Sequence, residues 1–272
     1  MLVPTIMSRT EPQKIIPSWS SGTDVEIANA LIEHYAGRID LTEYWSVGDE
    51  RQVTLSASDA RTYGLSSNYP AQTITLVLMN EGGLQLTESI NGHSECVFVV
   101  GLKESLYPSN ELHTVNSTTI GYKDWASRSY LNGNFRSAFP SALKDIFKQF
   151  KNVVIKNATD LSVTETLDDY FAFPAEKQVF GTNLRDTTGI AEQSLSQFEY
   201  YQTSANRVKS WSINPSTGAH FVQYPGTYNY WTLRTYYNIN NYILCVDMDG
   251  SKPILGGDPT GVGWPYSPFG CI

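Results

Sequence analysis

The strongest constraint on the fold is a succession of short, apolar, β-branched runs. Thr73 to Met79 is one and Cys96 to Val100 is another, and Val53 and Leu55 alternate with Gln52 and Thr54. Runs of this length and composition read as strands. Asn91-Gly92 lies between the Thr73–Met79 and Cys96–Val100 runs and supplies a hairpin-turn signal. The pattern returns near the C-terminal end. Trp231 to Tyr237 alternates, with Trp231, Leu233, Thr235 and Tyr237 on one side. Tyr242, Leu244, Val246 and Met248 share a face, Asp249-Gly250 is the next turn, and Pro253 to Leu255 is a return strand whose proline favours an edge. Val153 to Ile155 and Tyr170 to Phe173 read as further short strands.

Helical signals are fewer. Thr23 and Glu26 form a T-x-x-E capping box. Ile27, Leu31 and Tyr35 follow at helical spacing and Gly37 can close the helix, which predicts a helix over 24–36 after an extended arm. Asp124 is expected to cap a short helix carrying Trp125, Arg128 and Leu131 and closed by Gly133. Ser141 is expected to cap another, with Leu143, Ile146, Phe147 and Phe150 on one face and Lys148 and Lys151 near its C-terminal end. Residues 191–204 are weakly helical. These elements predict an α+β chain: an N-terminal arm and amphipathic helix over residues 1–40, then one domain over 41–272.

Composition narrows the function. The net charge is −8, with 19 basic and 27 acidic residues, which argues against a nucleic-acid partner. Charged residues are 17% and aromatics 12%, including 17 Tyr. That balance suits an extracellular or virion protein better than a cytosolic enzyme. The first residues lack the basic and apolar regions of a signal peptide, and no run approaches the length of a membrane span. Synthesis without a signal peptide and no membrane insertion are therefore expected. The three cysteines, Cys96, Cys245 and Cys271, form no CxxC pair. The first two sit in apolar runs and read as buried, whereas Cys271 is placed to be exposed.

Four sequence pieces occur in order: Trp45-Ser46-Val47-Gly48-Asp49, Trp125-Ala126-Ser127-Arg128-Ser129-Tyr130-Leu131-Asn132, Asp169 to Glu176 with Val179-Phe180-Gly181, and Trp231-Thr232-Leu233-Arg234-Thr235. Val246, Asp249-Gly250 and Gly261-Val262-Gly263-Trp264-Pro265 follow. Together they resemble a family of bacterial and prophage proteins with a C-type-lectin-like fold, seen in phage receptor-binding and retroelement-diversified proteins. The resemblance spans about residues 45–272. It implies a structural W-x-L-R strand with binding loops nearby, and a phage-tail or surface location. Trp125, Arg128, Trp231 and Arg234 are then structural core residues. Arg234 either meets a ligand or, preferred here, pairs with a carboxylate such as Asp169 or Glu176.

The stretch from Tyr224 to Tyr242 is unusually rich in Tyr and Asn. Tyr gives stiff contact area with a polar tip, and Asn gives adaptable hydrogen bonding. Tyr228, Asn229, Tyr230, Tyr236, Tyr237, Asn238 and Asn241 are the candidate ligand-binding residues; the competing reading is a Tyr-rich face packed on itself or on a second subunit. His34, His93, His113 and His220 have no ligand spacing, and Asp247-x-Asp249-Gly250 lacks the rest of a calcium loop, so no metal or cofactor is expected. No nucleophile elbow or phosphate loop is present, and the cysteines do not match sulfatase-activating enzymes. Asp168, Asp169, Glu176, Asp247 and Asp258 would support a glycosidase only if they converge.

The expected function is non-enzymatic: a phage or prophage tail-associated or surface adhesion protein that binds a cell-surface glycan or protein. A homo-oligomer or other tail proteins are the expected structural partners. A structural subunit with a Tyr-rich oligomer interface, or an acid/base carbohydrate-active enzyme, are the alternatives.

Overall fold

Helix α1, Asp24–Tyr35, begins at the anticipated capping box. The Thr23 hydroxyl accepts from the Glu26 N–H, and the Glu26 carboxylate accepts from the Thr23 N–H at 2.8 Å. These bonds satisfy donors that the first helical turn leaves free. Ile27, Ala30, Leu31 and Tyr35 face inward. The computed structural model describes residues 15–115, 117, 119–184, 192, 194–209, 230–237, 242–257, 260 and 264–272.

The described part of the arm and α1 do not stand apart from the rest. Trp19, Ile27, Leu31 and Tyr35 belong to the same hydrophobic core as the strands. The Trp45 indole donates to the Pro17 carbonyl at 2.8 Å, and Arg51 pairs with Asp24. The expected boundary near residue 40 is therefore not a packing boundary.

The chain is α+β, and its described strand pairings are antiparallel. Strands β1 (Glu50–Leu55), β2 (Gln72–Glu81) and β5 (Phe98–Leu102) occupy the predicted runs. Between the last two, β3 (Gln85–Ile90) and β4 (His93–Glu95) form an additional hairpin. Its turn is Asn91-Gly92, with φ of 49° and 92°. Two successive positive φ values define the primed turn that suits a right-twisted hairpin.

The five-stranded sheet runs β1-β2-β5-β14-β9, where β14 is Phe269–Cys271 and β9 is Phe171–Ala172. Strand β14 thus sits between β5 and β9, and Cys271 is fully buried rather than exposed. Its thiol lies beside that of Cys96, and both are free. The four-stranded sheet β4-β3-β7-β8 adds β7 (Phe150–Ile155) and β8 (Thr164–Asp169). Strand β6 (Leu106–Asn110) pairs with β13 (Trp264–Tyr266).

The remaining sheet is β10 (Trp231–Tyr236), β11 (Ile243–Val246) and β12 (Pro253–Gly257). Asp249-Gly250 turns between β11 and β12, and Pro253 lies on the edge strand as anticipated. Every residue of β10 is buried, so its alternating pattern does not separate a wet face from a dry one. Tyr242 and Met248, by contrast, are exposed at the ends of β11.

Two helices depart from expectation. Helix α2, Ala126–Tyr130, has Trp125 at its N-cap without a side-chain cap from Asp124. It continues as a π-helical turn over Leu131–Phe135, and Gly133 lies inside that turn instead of closing a helix. A Cβ there would overlap the Tyr63 hydroxyl, so a larger residue would have to displace that ring. Helix α3 is only Ser141–Lys144, capped at Pro140, and Phe150 opens β7. Leu143, Ile146 and Phe147 are buried all the same. Helix α4, Glu176–Phe180, ends at Gly181. In the weakly helical region, 3-10 turns form at Glu199–Gln202 and Ser204–Arg207.

Candidate functional site

The expected Tyr/Asn surface is divided by its own strand. Tyr228, Asn229, Asn238 and Asn241 lie outside the described residues. Tyr230 precedes β10 and Tyr237 follows it, so the two flank opposite ends of a strand and stand roughly 20 Å apart. Tyr236 is fully buried and cannot meet a ligand. Its hydroxyl donates to the Ile120 carbonyl at 3.1 Å and accepts from the Trp125 indole at 3.2 Å. Burial pushes its phenol pKa up. Alternation along an isolated strand hides this, because β10 is covered on both sides.

The predicted core residues form two buried polar frames. Trp125 and Trp231 are fully buried, and the Trp231 indole donates to the Arg207 carbonyl at 2.7 Å. Arg128 pairs with Asp169 at 2.7 Å. Asn132 donates to Asp169 at 3.1 Å, and Asn152 donates to its other oxygen at 2.8 Å. Burial pushes the Asp169 carboxyl up, opposed by Arg128 and Asn152. Arg234 is fully buried, unlike Arg128, and its carboxylate is Glu192, at 3.5 Å, and not Asp169 or Glu176. It donates to the Phe173 carbonyl and, at 2.8 Å, to Gln178. Both arginines act as cross-braces between elements distant in sequence.

The other carboxylates weighed for catalysis have structural partners too. Asp168 accepts from the Thr87 hydroxyl at 2.8 Å, and Glu176 accepts from the Leu184 N–H at 2.7 Å. Asp247 accepts from the Met248 N–H at 2.8 Å within the β11–β12 turn. Asp258 lies outside the described residues.

A cleft of about 250 Å³ brings together residues that sequence spacing did not join. Arg136, Lys148, Tyr170, Thr87, Glu88 and Gln149 line it, with Ile90, Asp145 and Phe147. The backbones of Arg136, Lys148 and Tyr170 are each held by the scaffold. Arg136 directly follows the π-helical turn, whose Phe135 packs edge-on against Phe171 at 5.0 Å. Lys148 is pinned to β14: its N–H donates to the Cys271 carbonyl at 2.9 Å. The Cys271 thiol donates back to the Lys148 carbonyl at 3.3 Å. Tyr170 is fixed by Asn132, whose side-chain oxygen accepts its N–H at 2.6 Å and that of Phe171 at 3.2 Å. The buried Asp169 frame therefore orients the next residue toward the cleft.

The Arg136 guanidinium lies 3.7 Å from the centroid of the Tyr170 ring. Its Nε is buried and has no hydrogen-bond partner. Burial lowers the Lys148 pKa from its usual range, and Arg136 lowers it further against Asp145 and Cys271. A second groove, of about 220 Å³, continues from the cleft through Ile90, Asp145 and Lys148 to Leu31, Ile32 and Tyr35 of α1.

A different buried cation lies under the three-stranded sheet. Lys209 is almost wholly enclosed and donates to the Leu102 carbonyl at 2.5 Å. Its ammonium sits 5.0 Å from the Trp231 ring and 5.3 Å from the Tyr201 ring. Burial pushes its pKa down to about 7, against the pull of Glu104.

Among the described residues, no group of three His, Cys, Asp or Glu side chains could hold a metal ion, and no helix is long and apolar enough to cross a membrane. No curated protein and no solved structure matches the chain. A family model described as a domain of unknown function, DUF6273, matches residues 50–254, which include β1, the Arg128–Asp169 frame, the cleft and the Trp231–Arg234 strand. The chain belongs to the DUF6273 family.

Proposed function

We propose that the chain is a non-enzymatic recognition module, a C-type-lectin-like domain of a phage or prophage tail or surface assembly. It binds a cell-surface glycan or protein. The observation that carries this reading is the cleft of Arg136, Lys148 and Tyr170, held by backbone bonds to β14 and by a buried hydrogen-bonded frame. Aromatic area beside fixed polar groups suits a sugar, whose ring packs on the aromatic while its hydroxyls meet charged and amide groups.

The topology supports the lectin-like part. Strand β14 returns between β5 and β9, which brings Phe269–Cys271 beside Phe98–Leu102, a strand far away in sequence. The buried Trp231-x-Leu233-Arg234 strand, from the intervening sequence, is an internal brace. The binding function falls to loops and clefts outside the brace. Among the described residues, the carboxylates considered for acid/base work are committed to Arg128, Thr87 and backbone donors, which favours binding over catalysis.

The test is a glycan-array and whole-cell binding assay with the purified full chain, run with calcium and then with a chelator. Saturable binding supports the reading. No binding up to roughly millimolar ligand, an affinity of about −4 kcal/mol, overturns it. A self-associated state with no binding would point to the structural subunit.

A further inference from the structure

We propose that the cleft between Arg136 and Lys148 selects an acidic sugar, whose carboxylate docks on the two cations while its ring lies along Tyr170. This rests on the recognition reading above and names the ligand class for that site.

The cations carry the argument. Among the described arginines, Arg38, Arg51, Arg128 and Arg234 each pair with a carboxylate. Arg61 and Arg207 donate to carbonyls. Arg136 alone among them has neither; its buried Nε is unsatisfied, as are those of Arg51, Arg128 and Arg234, but no carboxylate offsets it. A buried donor left without an acceptor is costly, and a guanidinium fork matches a carboxylate's two oxygens. Lys148 donates to the Asp145 carbonyl at 3.0 Å and pairs with no carboxylate among the described residues. Two such cations converge on one cleft and repel each other, an arrangement that a bound anion relieves.

The lining also discriminates among anions. Glu88 and Asp145 share the rim, so a dianion such as a phosphate ester meets more repulsion than a monoanionic carboxylate. Those same carboxylates, with Thr87 and Gln149, can bond to hydroxyl groups. The volume suits one sugar ring rather than a larger ligand.

The probes are D-glucuronate, D-glucose and glucose 6-phosphate, titrated into the full chain and followed by ligand-observed NMR. The expected result is millimolar binding of glucuronate and at least tenfold weaker binding of glucose and of the phosphate ester. Arg136→Gln and Lys148→Gln should each weaken glucuronate at least fivefold, with folding checked by circular dichroism. If one variant does not fold, the other still decides. Glucuronate binding that neither substitution weakens overturns the assignment, as does equal binding of glucose or tighter binding of the phosphate ester. If the array shows neutral glycans bound and glucuronate fails, the acidic-sugar inference is lost but the recognition reading stands. If neither cells nor any glycan bind, the recognition reading itself fails.

Discussion

The Arg136 guanidinium lies over the Tyr170 ring, 3.7 Å from its centroid, although the two residues belong to separate elements. The contact couples the π-helical turn to the segment after β8. Tyr170→Ala removes the ring and is expected to cost about 0.5–1 kcal/mol of stability. Tyr170→Phe keeps the ring and should be close to neutral. Thermal denaturation of the two variants against the parent chain checks this. Equal melting temperatures for all three would show that the stack adds nothing to stability.

Asp169→Asn leaves the half-buried Arg128 without its carboxylate, at a position where Asp169 itself is fully buried. Removing one partner of a buried pair costs about 3–5 kcal/mol. The urea midpoint should therefore fall far more than for Asp168→Asn, because Asp168 is exposed on the opposite face of the same strand. A similar midpoint for both variants would remove Asp169 from its structural role.

Tyr236→Phe deletes one hydroxyl and strands two groups, the Trp125 indole N–H and the Ile120 carbonyl. The expected loss is about 2 kcal/mol, with glycan or cell binding unchanged. Binding lost in a variant of full stability would return Tyr236 to a recognition surface.

Lys209 predicts a pH dependence with a definite sign. Its pKa is about 7 in the folded chain and lies near 10.5 when exposed. Between these values the unfolded chain holds a proton that the folded chain has released, so stability rises with pH from about 7. Above about 9 the buried thiols of Cys245 and Cys271 act in the opposite direction, because unfolding frees them to ionise. Chemical denaturation across pH 6 to 10 should show a rise and then a fall, and Lys209→Met should flatten the rising limb. A wild-type stability that declines steadily over that range contradicts the assignment.

Local signals located α1, β1, β2, β5 and the Asn91-Gly92 turn because each depends on neighbours within a few residues. The capping box needs only Thr23 and Glu26, and the turn needs only two residues that accept positive φ. The helix expected after Ser141 stopped at Lys144 because Phe150 is claimed by pairing with Leu86 and Asp169, a partnership that helical periodicity does not register. Tyr236 was misread for a similar reason. An alternating strand covered on both sides looks the same in sequence as one with a wet face. Arg136, Lys148 and Tyr170 carry no common spacing, and tertiary pairing alone brings them together. The aromatic run Tyr170 to Phe173 was visible, but not the direction of its first ring.

The place of β14 has a consequence for synthesis. Strands β2 and β5 can pair as soon as they are made, but the other edge of β5 stays open until Phe269–Cys271 emerges. That edge carries Phe98, Val99 and Val100, an apolar row with unpaired backbone groups and hence a template for wrong pairing. At about 5–20 residues per second, translation of residues 103–268 leaves it uncovered for roughly ten to thirty seconds on the ribosome. An apolar edge left open for that long is a standing opportunity for mispairing while the intervening residues are made.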